Sequence, residues 1–169
     1  MYQQIGGFEA LRMEVLEDLT LGRIVKAAGF RQQVGVAPGI VSVHWAAGVW
    51  GILRGMTKNF FAVFQYRVAV LLFASFGTAL LCIGPAVLLT IPGARVPALL
   101  AWAAAAGLYA VSSRVSRLPL WCSLFLPVAA VLVVYAMVRS AIVTLARGGV
   151  IWRGTFYPID ELRKWRQSE

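Results

Sequence analysis

The sequence predicts a mainly α-helical membrane protein with two to three transmembrane helices. Of its 169 residues, 60% are hydrophobic and only 14% are charged, whereas a soluble domain is usually about half apolar and about a quarter charged. Three apolar runs, residues 68–91, 96–113 and 118–138, contain no acidic residue and approach the length that a helix needs to cross a bilayer. Beside this hydropathy, the net charge of +9 fits anionic lipid headgroups better than nucleic acid, so no nucleic-acid partner is expected.

The composition also excludes two other kinds of protein or site. Both cysteines, Cys82 and Cys122, lie inside apolar runs and form no disulfide framework of the kind that small secreted proteins use. The single histidine, His44, cannot build a histidine-based metal cluster, and a lone histidine is more often structural than catalytic. The sequence therefore gives no reason to expect a metal site in this chain.

The three apolar runs differ in how well they suit a membrane span. Residues 68–91 make about 36 Å of helix against a hydrocarbon core of about 30 Å, and Pro85 is expected to kink that helix. Residues 96–113 span only if the two serines at the end of the run contribute, whereas residues 118–138 are long enough on their own.

Charge decides the expected topology. Residues 1–67, before the first run, and residues 139–169, the tail, are both basic, and the positive-inside rule places such segments in the cytoplasm. Both lie there only if the chain crosses the membrane an even number of times, which makes the short second run a candidate re-entrant segment. We expect a multi-pass protein of the cytoplasmic (inner) membrane.

Residues 45–67 are expected to form an amphipathic helix that lies on the membrane surface. Arg54 and Lys58, four residues apart, share one face, and an apolar stripe at steps of three and four occupies another. The stripe consists of Trp50, Leu53, Met56, Phe60 and Phe64. Aromatic residues on one side and cations on the other suit the headgroup region. The alternative, the first turns of a longer spanning helix, is disfavoured by Arg54, Lys58 and Arg67.

Asp18 is one of only two aspartates in the chain. A helix is predicted directly after it, with apolar residues at helical spacing and Gly29 placed to end it. From the residues alone, Asp18 is most simply the N-cap of this helix, and Glu17 favours the positive end of the helix dipole. A carboxylate fixed at the start of a helix is also well placed to act as a base, so the structural and catalytic interpretations are compatible.

Three segments of the N-terminal region carry a resemblance to a known family. They are Ile5–Glu9 (IGGFE), Glu17–Leu21 (EDLTL) and Val25–Arg31 (VKAAGFR). Together they resemble the late part of the membrane-bound, inverting family 2 glycosyltransferases, which have a GT-A fold. The branch that looks most similar glycosylates lipids: the ceramide glucosyltransferase-like, hopanoid-associated and carotenoid glycosyltransferases. The resemblance implies that residues 1–44 are the C-terminal fragment of a GT-A α/β domain, with Asp18 as the catalytic base and Glu17 as its partner.

The resemblance extends to the amphipathic helix. Relatives carry a Gln/Arg-x-x-Arg-Trp motif there, and the corresponding stretch Arg54–Phe60 has Thr57-Lys58 where they have Arg-Trp. It implies that Arg54 and Lys58 bind substrate by supplying cations to a diphosphate leaving group or to a lipid phosphate. The alternative is a solvated basic face that anchors the helix to anionic lipid.

The basic C-terminal tail is also similar to this branch. Gly148–Pro158 (GGVIWRGTFYP) resembles a Trp-Lys/Arg-Gly-x-x-Tyr ending, which implies substrate binding by Trp152 and Arg153 and suits a strand or turn at the membrane surface. Trp152 is equally well explained as an interfacial anchor, an interpretation that we favour for Tyr157. A short charged helix over residues 160–165 is expected to follow.

The parts of such an enzyme that bind the nucleotide-sugar donor are not found in the sequence. With aspartate only at positions 18 and 160, there is no Asp-x-Asp motif for a divalent cation, and no Gly-rich phosphate loop is present. The 67 residues before the first run are too few for a nucleotide-binding domain of about 100–150 residues. We therefore expect the C-terminal part of an enzyme that transfers sugar from a nucleotide-sugar donor to a lipid acceptor. It is expected to be inactive without an N-terminal half that holds the donor and Mg²⁺ or Mn²⁺.

Two alternatives from other classes remain open. One is a non-catalytic membrane subunit, or a remnant, that packs with a separately encoded partner through small residues such as those of 101–110. The other is a small channel or transporter. This second alternative is disfavoured because the apolar runs carry no charged side chain, whereas ion and proton pathways usually place some within the membrane.

Overall fold

The computed structural model describes residues 3–7, 9–33, 35, 40, 44, 46–116, 118–152 and 154–167. These residues are mostly helical. Their α-helices are α1 (Glu17–Ala27), α2 (Gly48–Val63), α3 (Val68–Cys82), α4 (Gly84–Leu88), α5 (Arg95–Ser116), α6 (Leu126–Arg147) and α7 (Ile159–Gln167). Two strands, β1 (Gly149–Trp152) and β2 (Thr155–Pro158), lie between α6 and α7. Short 3₁₀ segments occupy Gln3–Ile5, Glu9–Leu11, Pro92–Ala94 and Leu120–Phe125.

The chain divides into two compact units. The first comprises Met1–Gly35, His44–Val68 and Arg139–Glu169, and the second comprises Val36–Val43 and Ala69–Val138. The first unit therefore holds α1, α2, the β1–β2 hairpin and α7, together with the last turns of α6. The second unit holds most of the apolar helices.

Two helical segments are long and apolar enough to cross a membrane, namely Pro92–Arg114 and Leu120–Arg147. Helices α2 and α3 pass the same test only as a pair that is bent at the break between them, which gives a third candidate span if the pair counts as one. The predicted number of two to three spans is thus matched, and the chain is a membrane protein on this evidence. In the most apolar stretch of 18 residues, only 6% of the first segment and 17% of the second are buried. Their apolar side chains therefore face outward, where lipid would cover them.

The first predicted span, residues 68–91, is interrupted at its proline. Helix α3 ends at Cys82, and α4 begins at Gly84 with Pro85 in its first turn. Proline has no backbone N–H to donate, and its ring clashes with the carbonyl one turn earlier, so the expected kink becomes a break between two helices. The second predicted span, residues 96–113, lies within the longer helix α5.

Helix α6 continues beyond residue 138, where the third apolar run was predicted to end. The run begins as a 3₁₀ segment, Leu120–Phe125, and the α-helix then extends to Arg147. One face of the extra turns packs inside the first unit, because Ser140, Ala141 and Thr144 are all buried. The charge of Arg139 marks the end of the apolar composition but not the end of the helix.

The first unit has a small core formed by segments that are distant in sequence. Its most buried side chains come from α2 and the turn after it (Leu53, Phe61 and Tyr66), from β1 (Val150) and from α7 (Ile159 and Leu162). Strands β1 and β2 pair antiparallel from Gly149–Pro158 to Trp152–Thr155, and helix α7 contacts both strands. The residues expected to form a strand or turn and then a charged helix do form a hairpin followed by α7.

The N-terminal region contributes a second cluster to this unit. Leu11, Val15, Leu16 and Val25 are buried, and α1 contacts the 3₁₀ segment Glu9–Leu11. Within the described part of residues 1–44 there are one α-helix and two 3₁₀ segments, and no strand. The assignment of this region to a GT-A domain stays a prediction.

Helix α2 buries part of the predicted apolar stripe. Leu53 is 5% exposed, but Trp50, at the start of the stripe, is 67% exposed. Phe61, which the stripe does not include, is completely buried because it packs edge-to-face on Tyr66, with ring centroids 5.6 Å apart. The buried face of α2 therefore includes Leu53 and Phe61, and it differs from the predicted stripe, which includes Trp50.

Helix α2 ends in a strained turn. Gln65 and Tyr66 have φ angles of 54° and 57°, in the left-handed region that costs a residue with a side chain roughly 1–2 kcal/mol. The turn is held by backbone hydrogen bonds from Gln65 N–H to Ala62 and from Tyr66 N–H to Phe61, the pairing of a Schellman motif. Arg163 of α7 donates to the Tyr66 carbonyl at 2.9 Å, so α7 fixes the same turn from outside.

Candidate functional site

A serine hydroxyl joins α2 to the last turns of α6. Ser140 Oγ accepts a hydrogen bond from the backbone N–H of Phe61 at 3.0 Å and donates one to the Thr57 carbonyl at 2.5 Å. These two backbone groups stand one helical turn apart in α2, so the hydroxyl bridges them from the neighbouring helix. Ser140 and Phe61 are completely buried, which makes this contact a fixed point of the first unit.

The residue before this serine makes a second link to the same turn. The Arg139 guanidinium donates to Thr57 Oγ1, and Thr57 Oγ1 in turn donates to the Leu53 carbonyl at 2.9 Å. Thr57 is thus bonded to α6 through its side chain and through its backbone. The two links set the position of α2 against the end of α6.

A cavity of about 140 Å³ opens beside this junction. Three basic side chains line it: Arg54 and Lys58 from α2, and Arg147 from the end of α6. The remaining lining residues are Gly55, Thr57, Val143, Thr144, Gly149, Val150 and Ile151. No acidic residue is among them, so the wall of this cavity, which we call the cationic cleft, carries three positive charges.

Lys58 is held in place within the cleft. Its ammonium group donates to Asn59 Oδ1 at 2.9 Å and lies 5.6 Å from the centroid of the Trp152 ring, within the range of a cation–π interaction. The Trp152 ring also packs on Tyr157 of β2, with centroids 6.1 Å apart. The hairpin therefore brings an aromatic face to the lysine.

The structure gathers three of the four residues that the resemblance assigns to substrate binding. Arg54 and Lys58 line the same cavity, and Trp152 lies against Lys58, although about 100 residues separate the tryptophan from the other two. Arg153 lies outside the described residues. Guanidinium and ammonium groups on one concave wall bind phosphate or carboxylate oxygens through charge-assisted hydrogen bonds, so the cleft is a candidate anion site.

The predicted catalytic pair lies elsewhere in the first unit. Neither Glu17 nor Asp18 lines the cationic cleft. Asp18 is exposed, and its Oδ1 accepts a hydrogen bond from the Leu19 backbone N–H at 2.8 Å. The structure therefore leaves the carboxylate of Asp18 accessible, and its role as a base stays a prediction.

The prediction that Asp18 is an N-cap is wrong. Helix α1 begins at Glu17, its N-cap is Leu16, and no side chain caps it. Asp18 lies in the first turn instead, where its charge and that of Glu17 still favour the positive end of the helix dipole. The predicted end is confirmed: Gly29 has a φ of 77° and closes the helix in a Schellman motif.

Sequence reasoning missed the contribution of α6 to the cleft. Arg139, Val143 and Arg147 recur every four residues and so share one helix face, and the last two line the cavity. This spacing indicates a continuing helix face, whereas the net charge of the tail indicates only a basic segment. Thr57 was noted only as a departure from a family motif, whereas it is the residue that Arg139 contacts.

Glu14 was also missed, although it is the most buried acidic residue that the structure describes. It is 1% exposed, and its Oε2 accepts a hydrogen bond from Thr20 Oγ1 at 3.1 Å. The pair ties the segment before α1 to its first turns. Burial of this carboxylate could not be read from a sequence in which Glu14, Glu17 and Asp18 form one acidic cluster.

Across the described residues, no group of three or more His, Cys, Asp or Glu side chains is placed to hold a metal ion. The first unit holds the candidate anion site and, apart from it, the exposed carboxylate of Asp18. Comparison with protein-family models, with curated proteins and with solved structures finds nothing that matches this chain.

Proposed function

We propose that this chain is the membrane-embedded, C-terminal part of an inverting glycosyltransferase that transfers a sugar from a nucleotide-sugar donor to a lipid acceptor at the cytoplasmic membrane. One observation carries the proposal. Arg54 and Lys58 line the cationic cleft, and Trp152, which the resemblance selects from a distant segment, lies against Lys58. Independent motifs that converge on one site are typical of a binding site and not of scattered anchors.

In this proposal the residues divide the chemistry between them. Asp18 takes the proton from an acceptor hydroxyl as that oxygen forms a bond to the anomeric carbon, while the bond from this carbon to the donor phosphate breaks. Glu17 orients the aspartate. Arg54 and Lys58 bind a phosphate group of one of the substrates. The resemblance places Mg²⁺ or Mn²⁺ with a separate donor-binding half, and the proposal keeps that assignment.

The transfer reaction is tested in native membranes, because the proposal assigns donor binding to a separate half that the purified chain would lack. Membranes that contain the full chain are incubated with radiolabelled nucleotide sugars, and the labelled lipid is extracted and counted. Asp18→Asn is expected to reduce the rate by at least about 100-fold, because general-base catalysis contributes about 10²–10⁴-fold. The matched control is Asp160→Asn, the only other aspartate, which is exposed on α7 and is expected to leave the rate unchanged. Near-normal turnover in Asp18→Asn would remove Asp18 as the base.

One observation favours a second candidate, a non-catalytic membrane subunit that works with a separately encoded enzyme. The cationic cleft is formed without Asp18 or Glu17, so ligand binding by this chain does not require those carboxylates. For such a subunit, Asp18→Asn has no effect on sugar transfer, and a soluble nucleotide-binding protein co-purifies with the chain. The same assay and a pull-down therefore separate the two candidates.

A further inference from the structure

We infer that the cationic cleft binds the phosphate of an anionic membrane phospholipid. The inference rests on the proposed substrate-binding role of Arg54 and Lys58, and it names the source of the phosphate: a lipid in the bilayer and not a soluble nucleotide. It does not depend on the transfer reaction or on Asp18. Its failure can therefore be distinguished from failure of the proposed enzyme activity.

The charge of the cleft favours an anionic ligand. Arg54, Lys58 and Arg147 come from two helices and face one cavity of about 140 Å³, and no carboxylate lines that cavity to balance them. Like charges brought together in this way repel one another, and an anion in the cavity removes the repulsion. Two guanidinium groups and an ammonium match the oxygens of a phosphate. A zwitterionic headgroup would bring its own cation into the same cavity.

The position of the cleft along α6 favours a ligand from the bilayer. Val143, Thr144 and Arg147 line the cavity, and they form the last turn and a half of the candidate membrane span Leu120–Arg147. Residues at the end of a span lie at the level of the headgroups, where lysine and arginine meet lipid phosphates. A ligand at this level is reached most directly from the bilayer.

An exposed apolar surface lies one turn before the cleft in α2. Val49, Trp50 and Ile52, in the first turns of α2, are 51%, 67% and 44% exposed. Tryptophan and aliphatic side chains exposed beside cations fit the boundary between headgroups and acyl chains. A soluble phosphate needs no such surface, whereas a phospholipid with its phosphate in the cleft has acyl chains to cover it.

The Lys58 side chain is already positioned to bind an anion. An ammonium group has three hydrogen-bond donors, and Asn59 accepts one of them at 2.9 Å. The Trp152 ring stabilises the charge at 5.6 Å without accepting a conventional hydrogen bond. Donors remain for phosphate oxygens, and the side chain loses little freedom when the ligand binds because it is already held.

The experiment measures lipid binding by the full chain in a neutral detergent. Short-chain phosphatidylglycerol and phosphatidylcholine with the same acyl chains are titrated by isothermal calorimetry, without any nucleotide sugar. We expect phosphatidylglycerol to bind at least about tenfold more tightly, since a charge-assisted hydrogen bond is worth roughly a factor of ten or more. Arg147→Gln is expected to remove most of this preference.

The matched control is Arg67→Gln, which removes the same charge from an exposed arginine of the first unit that lies outside the cleft. It is expected to change the affinity by about twofold or less, as exposed charges usually do. If Arg147→Gln loses its helical circular dichroism, Lys58→Gln, on the other helix, gives the same test. A tenfold loss in either cleft variant beside a normal control supports the inference.

Three results would overturn it. Equal binding of the two lipids would show that the cleft does not recognise anionic headgroups. Equal losses in Arg147→Gln and Arg67→Gln would assign the effect to diffuse surface charge. Displacement of the lipid by millimolar inorganic phosphate or pyrophosphate, with the same dependence on Arg147, would show that the cleft binds a soluble phosphate. If sugar transfer depends on Asp18 while lipid binding ignores Arg147, this inference alone is wrong.

Discussion

The hydroxyl of Ser140 offers the sharpest test of how the first unit is assembled. Ser140→Ala removes the acceptor of the Phe61 N–H and the donor to the Thr57 carbonyl, at a position that is completely buried. A buried polar group that loses its partner costs about 1–3 kcal/mol. The Thr57 carbonyl and the Phe61 N–H stand one turn apart and can bond to each other, which limits the loss, so we expect a destabilisation of about 1–2 kcal/mol.

The assay is unfolding in SDS, followed by circular dichroism of the full chain in mixed micelles. Ser75→Ala is the matched control, because Ser75 is also buried in a helix, at 5% exposure, but its hydroxyl meets only the sulfur of Met137, at 3.9 Å. The control is expected to stay within about 0.5 kcal/mol of wild type, the usual limit for a substitution that removes no strong interaction. Equal effects of the two substitutions would refute the argument that Ser140 fastens α2 to α6.

Two further substitutions test backbone positions of the first unit. Gly149→Ala is expected to destabilise the chain by about 3 kcal/mol or more, because the new methyl group would overlap the Tyr157 carbonyl oxygen and stand 2.7 Å from the Phe156 ring. Gly77→Ala, where nothing lies within 4 Å, should be neutral or slightly stabilising in the same SDS assay, and a similar loss in both would contradict the packing argument. Gln65→Gly is expected to stabilise the chain by about 0.5–1 kcal/mol. Glycine removes the cost of a φ of 54°, and the greater conformational entropy of glycine in the unfolded chain offsets part of this gain. Gln65→Val should have the opposite effect, and a stabilising Gln65→Val would show that the turn is not strained.

The features that depend on a single proline or glycine could be predicted from the sequence. The break at Pro85 follows from the missing N–H of proline, and the end of α1 at Gly29 follows from the left-handed conformation that a Schellman motif requires. Apolar composition alone indicated two to three candidate spans. Helix α1 starts two residues earlier than predicted, with Leu16 instead of Asp18 as its N-cap, and this shift places Asp18 in the first turn.

The elements that were not predicted depend on contacts distant in sequence. Helix α6 passes Arg139 because the Arg139 and Ser140 side chains bond to Thr57, about 80 residues earlier in the chain. No local rule shows that these polar residues have partners. The composition of the tail therefore indicated a boundary at residue 139 that the helix does not have.

In the candidate site, too, residues that belong to local motifs could be predicted, and residues placed by tertiary structure could not. Arg54, Lys58 and Trp152 were identified because each belongs to a short motif. Arg147 and Thr144 were not, because they enter the cleft only through the continuation of α6. A search for cations on one helix face beyond Val138 would have proposed Arg147, which lies eight residues after Arg139. Only the tertiary structure places it at the same cavity as Arg54.

A double-mutant cycle measures most directly whether one cleft gathers these cations around one anion. Phosphatidylglycerol binding is compared in wild type, Lys58→Gln, Arg147→Gln and the double variant. Two cations that share one phosphate are coupled, and we predict a coupling free energy of at least about 0.5 kcal/mol. Additive losses, as expected for Arg147→Gln combined with Arg67→Gln, would mean that Lys58 and Arg147 do not act on the same ligand, and would contradict the account.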